Sequence, residues 1–442
     1  MKILLAIHHF PPRYTGGAEW EAYNTAVGLR ARGHTVRVLC VERIDRGAAP
    51  PGTVIWTDDE YDGVPVRRLS YDLSSAPDME RWEYDKPWIG DHVRALLAAE
   101  TPDIFHLMGG YLLSGRVLWE ARAQRVPAVV SLMDFWFLCR RLSLWRSDGQ
   151  LSHWPVDPTT CARCVGEESR RYRWLGRLAP GLAQAYWDTR ADRRRLFADR
   201  QAFLSAALPQ AAALIGRSQF VRQTFIAAGV PAERIHFIRQ GRDFPGLDPA
   251  ALTKAPARHL RVGYLGQVAA HKGVHVLLEA ARLLPAAPLS VKVFGSLQPF
   301  PDYVSRLRQV MAGDPRLELA GPYQGLAELR ARLQELDVVV VPSLWYENSP
   351  NVILEAFAHR TPVIVSDLGG MAELVEEGVD GLRFPVGEAG ALARCFQRLL
   401  TEPDLLVRLQ AGVRPVKSTA GEMDELEALY HQVLSRPMAE AR

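Results

Sequence analysis

The chain has 442 residues, with 53 basic against 50 acidic, a formal net charge of +3, and 48% apolar and 23% charged residues. That length exceeds one ordinary hydrophobic core and predicts two large domains. The charge balance excludes recruitment of a nucleic acid by bulk electrostatics, the composition excludes a disordered chain, and no apolar run is long enough for a membrane-spanning helix.

The opening MKILLAIHHFPP reads as a first buried strand and not as a secretory leader, because its apolar run stops at His8 and His9. The five cysteines are an odd number in a long chain, which argues against a disulfide framework, and the expected location is cytoplasmic. Cys40 and Cys395 lie in apolar-periodic segments and are expected in the core.

Short runs of Val, Ile and Leu alternate with helical periods, the pattern of βαβ units and an α/β fold with parallel sheets. In the first half the predicted strands are 2–8, 35–40, 103–108, 128–133, 212–216 and 234–239. In the second half they are 261–266, 289–295, 317–321, 338–343 and 362–366.

The first βα loop, PPRYTGGAEW, carries Gly16 and Gly17, which allow a tight turn and a close approach of backbone to ligand. Glu19 is an acid at a helix start and, second, a contact for an acceptor. His106 ends the strand DIFHLM before a Gly-Gly loop, where a histidine serves either packing or chemistry. Asp134 in SLMDFW either faces the acceptor or caps a turn.

A loop-rich insertion at about 139–200 follows. Cys139, His153, Cys161 and Cys164 provide three thiols and an imidazole, enough for a closed structural zinc site, with three reduced cysteines in a packed loop as the equal alternative. Next, 169–200 carries nine arginines, three aspartates and several aromatics. It is expected to be helical, either a solvated hairpin or a surface presenting Trp174, Leu175, Tyr186 and Trp187 to an anionic membrane.

The aperiodic GRDFPGLDPAALTKAPARH, residues 241–259, reads as a linker. The expected organisation is an N-terminal acceptor-side domain over 1–245, a C-terminal donor domain over 246–415 and a final helix over 416–442. That helix either caps the second domain or crosses back to the first. Ligands of open parallel sheets bind beyond the carboxyl ends of the strands, so the chemistry is expected there.

The densest constellation is VVVVPS followed by LWYENSPNVILEAFAHRTPVIVSDLGG. Glu347 lies in the loop after a strand and Glu355 on the helix that follows, with Asn348 or Ser349 as cap and Pro350 in the first turn. The amides of 349–352 at that helix start suit a phosphate, and a carboxylate on either side suits the hydroxyls of a ribose and a hexose. Lys272 in GQVAAHKG stands beside another helix start, where a cation meets a diphosphate.

With GGAEW, DIFH, SLMDFWFLC, RSQFVRQTF, GQVAAHKG, the Glu347 to Glu355 segment and ELEALY, nearly the whole chain resembles the large retaining glycosyltransferase family of GT-B fold, two Rossmann-like domains that use UDP-, GDP- or ADP-sugars. The resemblance implies transfer of a sugar from a nucleotide-diphosphate donor to a hydroxyl of a sugar, lipid-linked or other acceptor, with retention of configuration, in glycan, glycolipid or glycoconjugate biosynthesis. It implies that Glu355 holds the ribose, Glu347 faces the donor sugar and Lys272 binds the diphosphate. It assigns His106 to the donor sugar and reaction centre. Gly17, Ser349, Asn351 and Val352 join the donor site, and Gly16, Glu19 and Asp134 the acceptor side.

Two departures stand out. The family's arginine five residues before the lysine is Gln267 here, so Arg217 or Arg242 is the candidate replacement, and the residue before Asp134 is Met133 in place of histidine. No Asp-x-Asp motif stands near the predicted strand ends, so no cofactor is expected for catalysis. The competing readings are a non-catalytic sugar-nucleotide-binding scaffold, for which Gln267 speaks, and an epimerase or hydrolase on the same fold.

Overall fold

The computed structural model describes residues 1–248, 252 and 259–436. The predicted linker therefore lies partly outside the described residues, as does the end of the last segment. The chain divides into two compact units. One is Met1–Gln240 joined by the segment that begins at Thr419, and the other is Gly241–Ser418.

The first unit is built on eight strands: β1 (Lys2–Ile7), β2 (Thr35–Arg43), β3 (Ile55–Tyr61), β4 (Val64–Ser70), β5 (Ile104–Met108), β6 (Ala128–Leu132), β7 (Ala213–Gly216) and β8 (Ile235–Phe237). Their order is β3-β4-β2-β1-β5-β6-β7-β8. Only the β3–β4 pair is antiparallel. The sequence reading missed this hairpin because β3, IWTDDEY, is an exposed edge strand with no buried face to create an apolar alternation. In β4 a proline and two arginines interrupt the pattern.

The second unit has six parallel strands, β9 (Leu260–Leu265), β10 (Leu289–Phe294), β11 (Leu317–Gly321), β12 (Val338–Val341), β13 (Val363–Ser366) and β14 (Gly381–Phe384), in the order β11-β10-β9-β12-β13-β14. The short β14, GLRF, also escaped the sequence reading. This order reverses between β9 and β12, the switch point at which doubly wound sheets bind ligands. The run of four valines in β12 follows from burial on both faces. Val338 and Val340 enter one apolar cluster, and Val339 and Val341 the other.

The final helix, Thr419–Ser435, belongs to the first unit and lies against the helix Gly17–Ala31. A Cβ on Gly28 would stand 2.9 Å from Met423 Cγ, so the missing side chain permits that approach. Met423, Leu426, Leu429, Tyr430 and Val433 enter the first unit's core. Beneath them Arg217 is enclosed between Glu21 and Glu422, with Nη1 2.7 Å from Glu422 Oε1. Burial drives the Glu21 carboxyl up to about 7 against the pull of Arg217, with the charge of Glu422 adding to the rise.

Candidate functional site

In the second unit the loops after β9 and β12 meet at the switch point. The β9 loop turns through Ala270–Lys272 into the helix Val274–Arg282, and Gly273 between them adopts φ +69°. A Cβ there would lie 1.9 Å from the Pro342 carbonyl oxygen, so glycine is required by both conformation and space. The Leu344 amide donates to the His271 carbonyl at 2.8 Å, tying one loop to the other.

This brings Lys272 and Glu347 together. Lys272 Nζ donates to Glu347 Oε1 at 2.5 Å, and the same oxygen accepts from Ser343 Oγ at 2.9 Å and Trp345 Nε1 at 2.8 Å. The ammonium also stands 5.0 Å from the Trp345 ring. Burial pushes the Glu347 carboxyl up, but the Lys272 charge and the three donors outweigh it and leave the group below the usual carboxylate range. Ser343 and Trp345 were absent from the sequence reading. Their only signal was spacing, four and two residues before the glutamate.

The next helix is Asn351–Ala358, with Pro350 as its N-cap and no side-chain cap. That corrects the expected capping by Asn348 or Ser349 and the placement of Pro350 inside the first turn. Instead Ser349 Oγ and Asn351 Oδ1 are buried without a hydrogen-bond partner. Buried polar atoms rarely remain unpaired; Ser349 Oγ can donate to an anion at this helix start, and Asn351 Oδ1 can accept from a ligand hydroxyl. Val352 is half-buried beside them.

Glu355 is buried on the same helix, and Arg242 Nη2 lies 2.6 Å from its Oε1. Burial raises the Glu355 carboxyl, and Arg242 offsets the rise only in part. Gln267 is exposed, and its carbonyl accepts from the Tyr264 hydroxyl at 2.6 Å. Of the two arginines considered in place of a cation at 267, Arg217 is committed to two carboxylates of the first unit, while Arg242 sits on Glu355.

In the first unit the residues read as acceptor-side or catalytic separate into two groups. Gly16 is the N-cap of Gly17–Ala31 at φ −73°, so no left-handed turn requires it, but a Cβ there would stand 2.5 Å from Glu19 Oε2. Glu19 Oε1 is 3.3 Å from His8 Nε2. Burial raises the Glu19 carboxyl, but the His8 hydrogen bond and charge bring it below its usual value. His8 also meets Tyr111 edge-on at 5.8 Å, and its Nδ1 is buried without a partner. Sequence reasoning used His8 only to end a strand. Asp134 Oδ1 accepts from the Trp136 amide at 2.8 Å, the turn-capping alternative.

His106 requires a correction. It is 0% exposed, with Nδ1 2.6 Å from the Tyr430 hydroxyl and Nε2 2.8 Å from Ser131 Oγ. Burial, reinforced by the Arg217 charge, lowers its pKa to about 3. Both ring nitrogens are engaged inside the first unit, so His106 anchors the final helix and does not face a sugar.

In the insertion Cys139, Cys161 and Cys164 are free thiols. All three line one recess with Arg141, Trp145 and Phe197, and His153 is not among its walls. Among the described residues no group of three or more His, Cys, Asp or Glu is arranged to hold a metal ion. Burial pushes the Cys161 thiol up to about 12, with the neighbouring Cys139 and Cys164 adding to the rise. The residues do not fit the zinc site. Trp187, expected on a lipid-facing surface, is instead buried against Gly166, and the Tyr186 hydroxyl is bonded to Tyr172 and Arg190. No helix among the described residues is long and apolar enough to cross a membrane.

Comparison with known proteins adds the family context. Residues 16–241 match the glycosyl transferase 4-like domain and 259–402 match the glycosyl transferases group 1 family. The amylovoran biosynthesis glycosyltransferase AmsK of Erwinia amylovora is 30% identical over 237 residues, 51% of this chain and 55% of that protein. The chain thus spans about half the length of the curated relatives it matches first. Among solved structures, the Anabaena protein HepE in complex with UDP and glucose superposes with a TM-score of 0.60 at 19% identity, covering 97% of this chain and 99% of its own. The catalytic domain of starch synthase IV from Arabidopsis thaliana bound to ADP and acarbose gives 0.62 at 16% identity, covering 98% and 99%.

Proposed function

Since the chain belongs to the glycosyltransferase family with a 4-like N-terminal domain and a group 1 C-terminal domain, and has the GT-B fold, we propose that it moves a sugar from a nucleotide-diphosphate donor to an acceptor hydroxyl with retention of configuration. The observation that carries this reading is the pairing of Lys272 with Glu347 at the switch point, beside a helix start with two unsatisfied polar atoms.

Each group then has a physical task. The amides at the start of Asn351–Ala358 and the Lys272 ammonium offset the charge that grows on the departing diphosphate. Glu347, released from Lys272, accepts from donor-sugar hydroxyls. Glu355 accepts from the ribose hydroxyls, for which the Arg242 contact must yield. The bond from the anomeric carbon to the phosphate oxygen breaks while the acceptor oxygen bonds on the same face, and the acceptor proton passes to the leaving phosphate. The protein supplies position and charge, with no nucleophile of its own.

A second reading, a sugar-nucleotide-binding scaffold, is favoured by one observation: Gln267 brings a neutral amide where the resemblance calls for a cation. Calorimetry with UDP, GDP and ADP, on the wild type and on Glu355→Ala and Lys272→Ala, tests the donor site. Selective binding of one nucleotide that both substitutions weaken supports it, and turnover of the corresponding nucleotide sugar separates transferase from scaffold. Failure to bind any of the three would refute the assignment.

A further inference from the structure

We propose that the insertion carries a docking surface for an anionic lipid bilayer, formed by Trp174, Leu178 and Leu182 with Arg170 and Arg171. This does not rest on the transferase reading. Trp174, Leu178 and Leu182 are 66%, 65% and 68% exposed. Trp174 and Leu178 are four residues apart on one helix face, and Leu182 follows at the start of the helix Pro180–Thr189. Apolar side chains this exposed and this close together mark an interaction site.

Packing explains how so short a helix holds them outward. A helix of nine residues is marginal alone. Here the Tyr172 ring stacks on Tyr186 at 5.5 Å and meets Trp187 edge-on at 5.4 Å. Trp187 enters the small core with Ala162 and Phe197. Tyr172 and Trp187 thus fix the inner side, and Trp174 and Leu178 are left to the outer side.

Charge selects the occupant. No acidic residue occurs from Ser169 through Trp187, whereas arginine stands at 170, 171, 173 and 177. Arg170 and Arg171 are exposed at the end of the Trp174 face. A tryptophan between arginines and leucines suits the headgroup boundary, where the indole is half wet and the leucines reach the acyl region.

The test is co-sedimentation of the full chain with phosphatidylcholine vesicles and with vesicles of phosphatidylcholine and phosphatidylglycerol, at low and high salt. The wild type is expected to bind the anionic vesicles and to be released by salt. The triple variant Trp174→Ser, Leu178→Ser, Leu182→Ser should bind them at least about tenfold more weakly. Arg170→Gln with Arg171→Gln should lose about 25-fold, at roughly fivefold per arginine near an anionic surface. Both sets of side chains are on the surface, so an unchanged thermal melt confirms that each variant is folded. Absence of wild-type binding, equal binding to neutral vesicles, or binding that survives the triple substitution would each overturn the proposal.

Discussion

Replacing Lys272 by methionine tests the donor site most directly, because the lysine has a measurable task both with and without nucleotide. Without it, the largely buried Glu347 keeps Ser343 and Trp345 as donors but loses its compensating charge. Removing one partner of a wholly buried pair costs about 3–5 kcal/mol. Lys272 retains 22% side-chain exposure, so the low end applies, about 3 kcal/mol. For a unit of this size that lowers the melting temperature by about 6–12 °C. The diphosphate in turn loses a charge-assisted hydrogen bond worth about 1.5–3 kcal/mol, a roughly 10- to 150-fold weaker dissociation constant. The double variant Lys272→Met, Glu347→Gln separates the two effects. It removes the stranded carboxylate, so calorimetric melting should recover toward wild type while nucleotide titration stays weak. A folded Lys272→Met protein that binds UDP or ADP as tightly as wild type would refute the reasoning.

Three further outcomes follow from other contacts. Gly273→Ala places a Cβ against the Pro342 carbonyl in a left-handed backbone; at about 1–2 kcal/mol for the conformation alone, the Lys272 loop should shift and nucleotide affinity fall, and an unchanged titration and melt would contradict this. His106 takes a proton at about 6.5 when unfolded but only at about 3 when folded, so acid binds the unfolded chain preferentially and stability falls as the pH drops below 6.5. Denaturant midpoints should show about 2 kcal/mol lost from this group between pH 6.5 and 5, a slope that His106→Gln removes; parallel slopes would refute it. Arg217→Met strands Glu21 and Glu422 in the core and should destabilise the first unit by about 3–5 kcal/mol, more at pH 8 than at pH 6, where Glu21 is protonated. Limited proteolysis should then cut near Thr419, and wild-type resistance would argue against the anchoring role.

The residues proposed for the donor site could be grouped from the sequence because they lie close together along the chain. Glu347, Ser349, Asn351 and Glu355 span one strand-loop-helix unit, and Lys272 follows another strand in the same way. The alternation of apolar runs with helical periods fixed the α/β class for the same reason: burial on both faces of a parallel sheet writes a continuous apolar run into each strand. Where burial is one-sided or absent no such imprint exists, and β3, β4 and β14 went unread.

What the tertiary structure alone decided were pairings distant in sequence. His106 looks like a strand-end histidine until Tyr430 and Ser131 close on its ring nitrogens. Arg217 and Arg242 are equivalent candidates until Glu21 and Glu422 enclose one and Glu355 takes the other. Three cysteines and a histidine fit a zinc site by count, but His153 lies outside the recess that the thiols share. Composition and periodicity record what each segment must bury. They do not record which charged or polar group arrives from another segment to meet it, because that depends on how the elements pack within each unit.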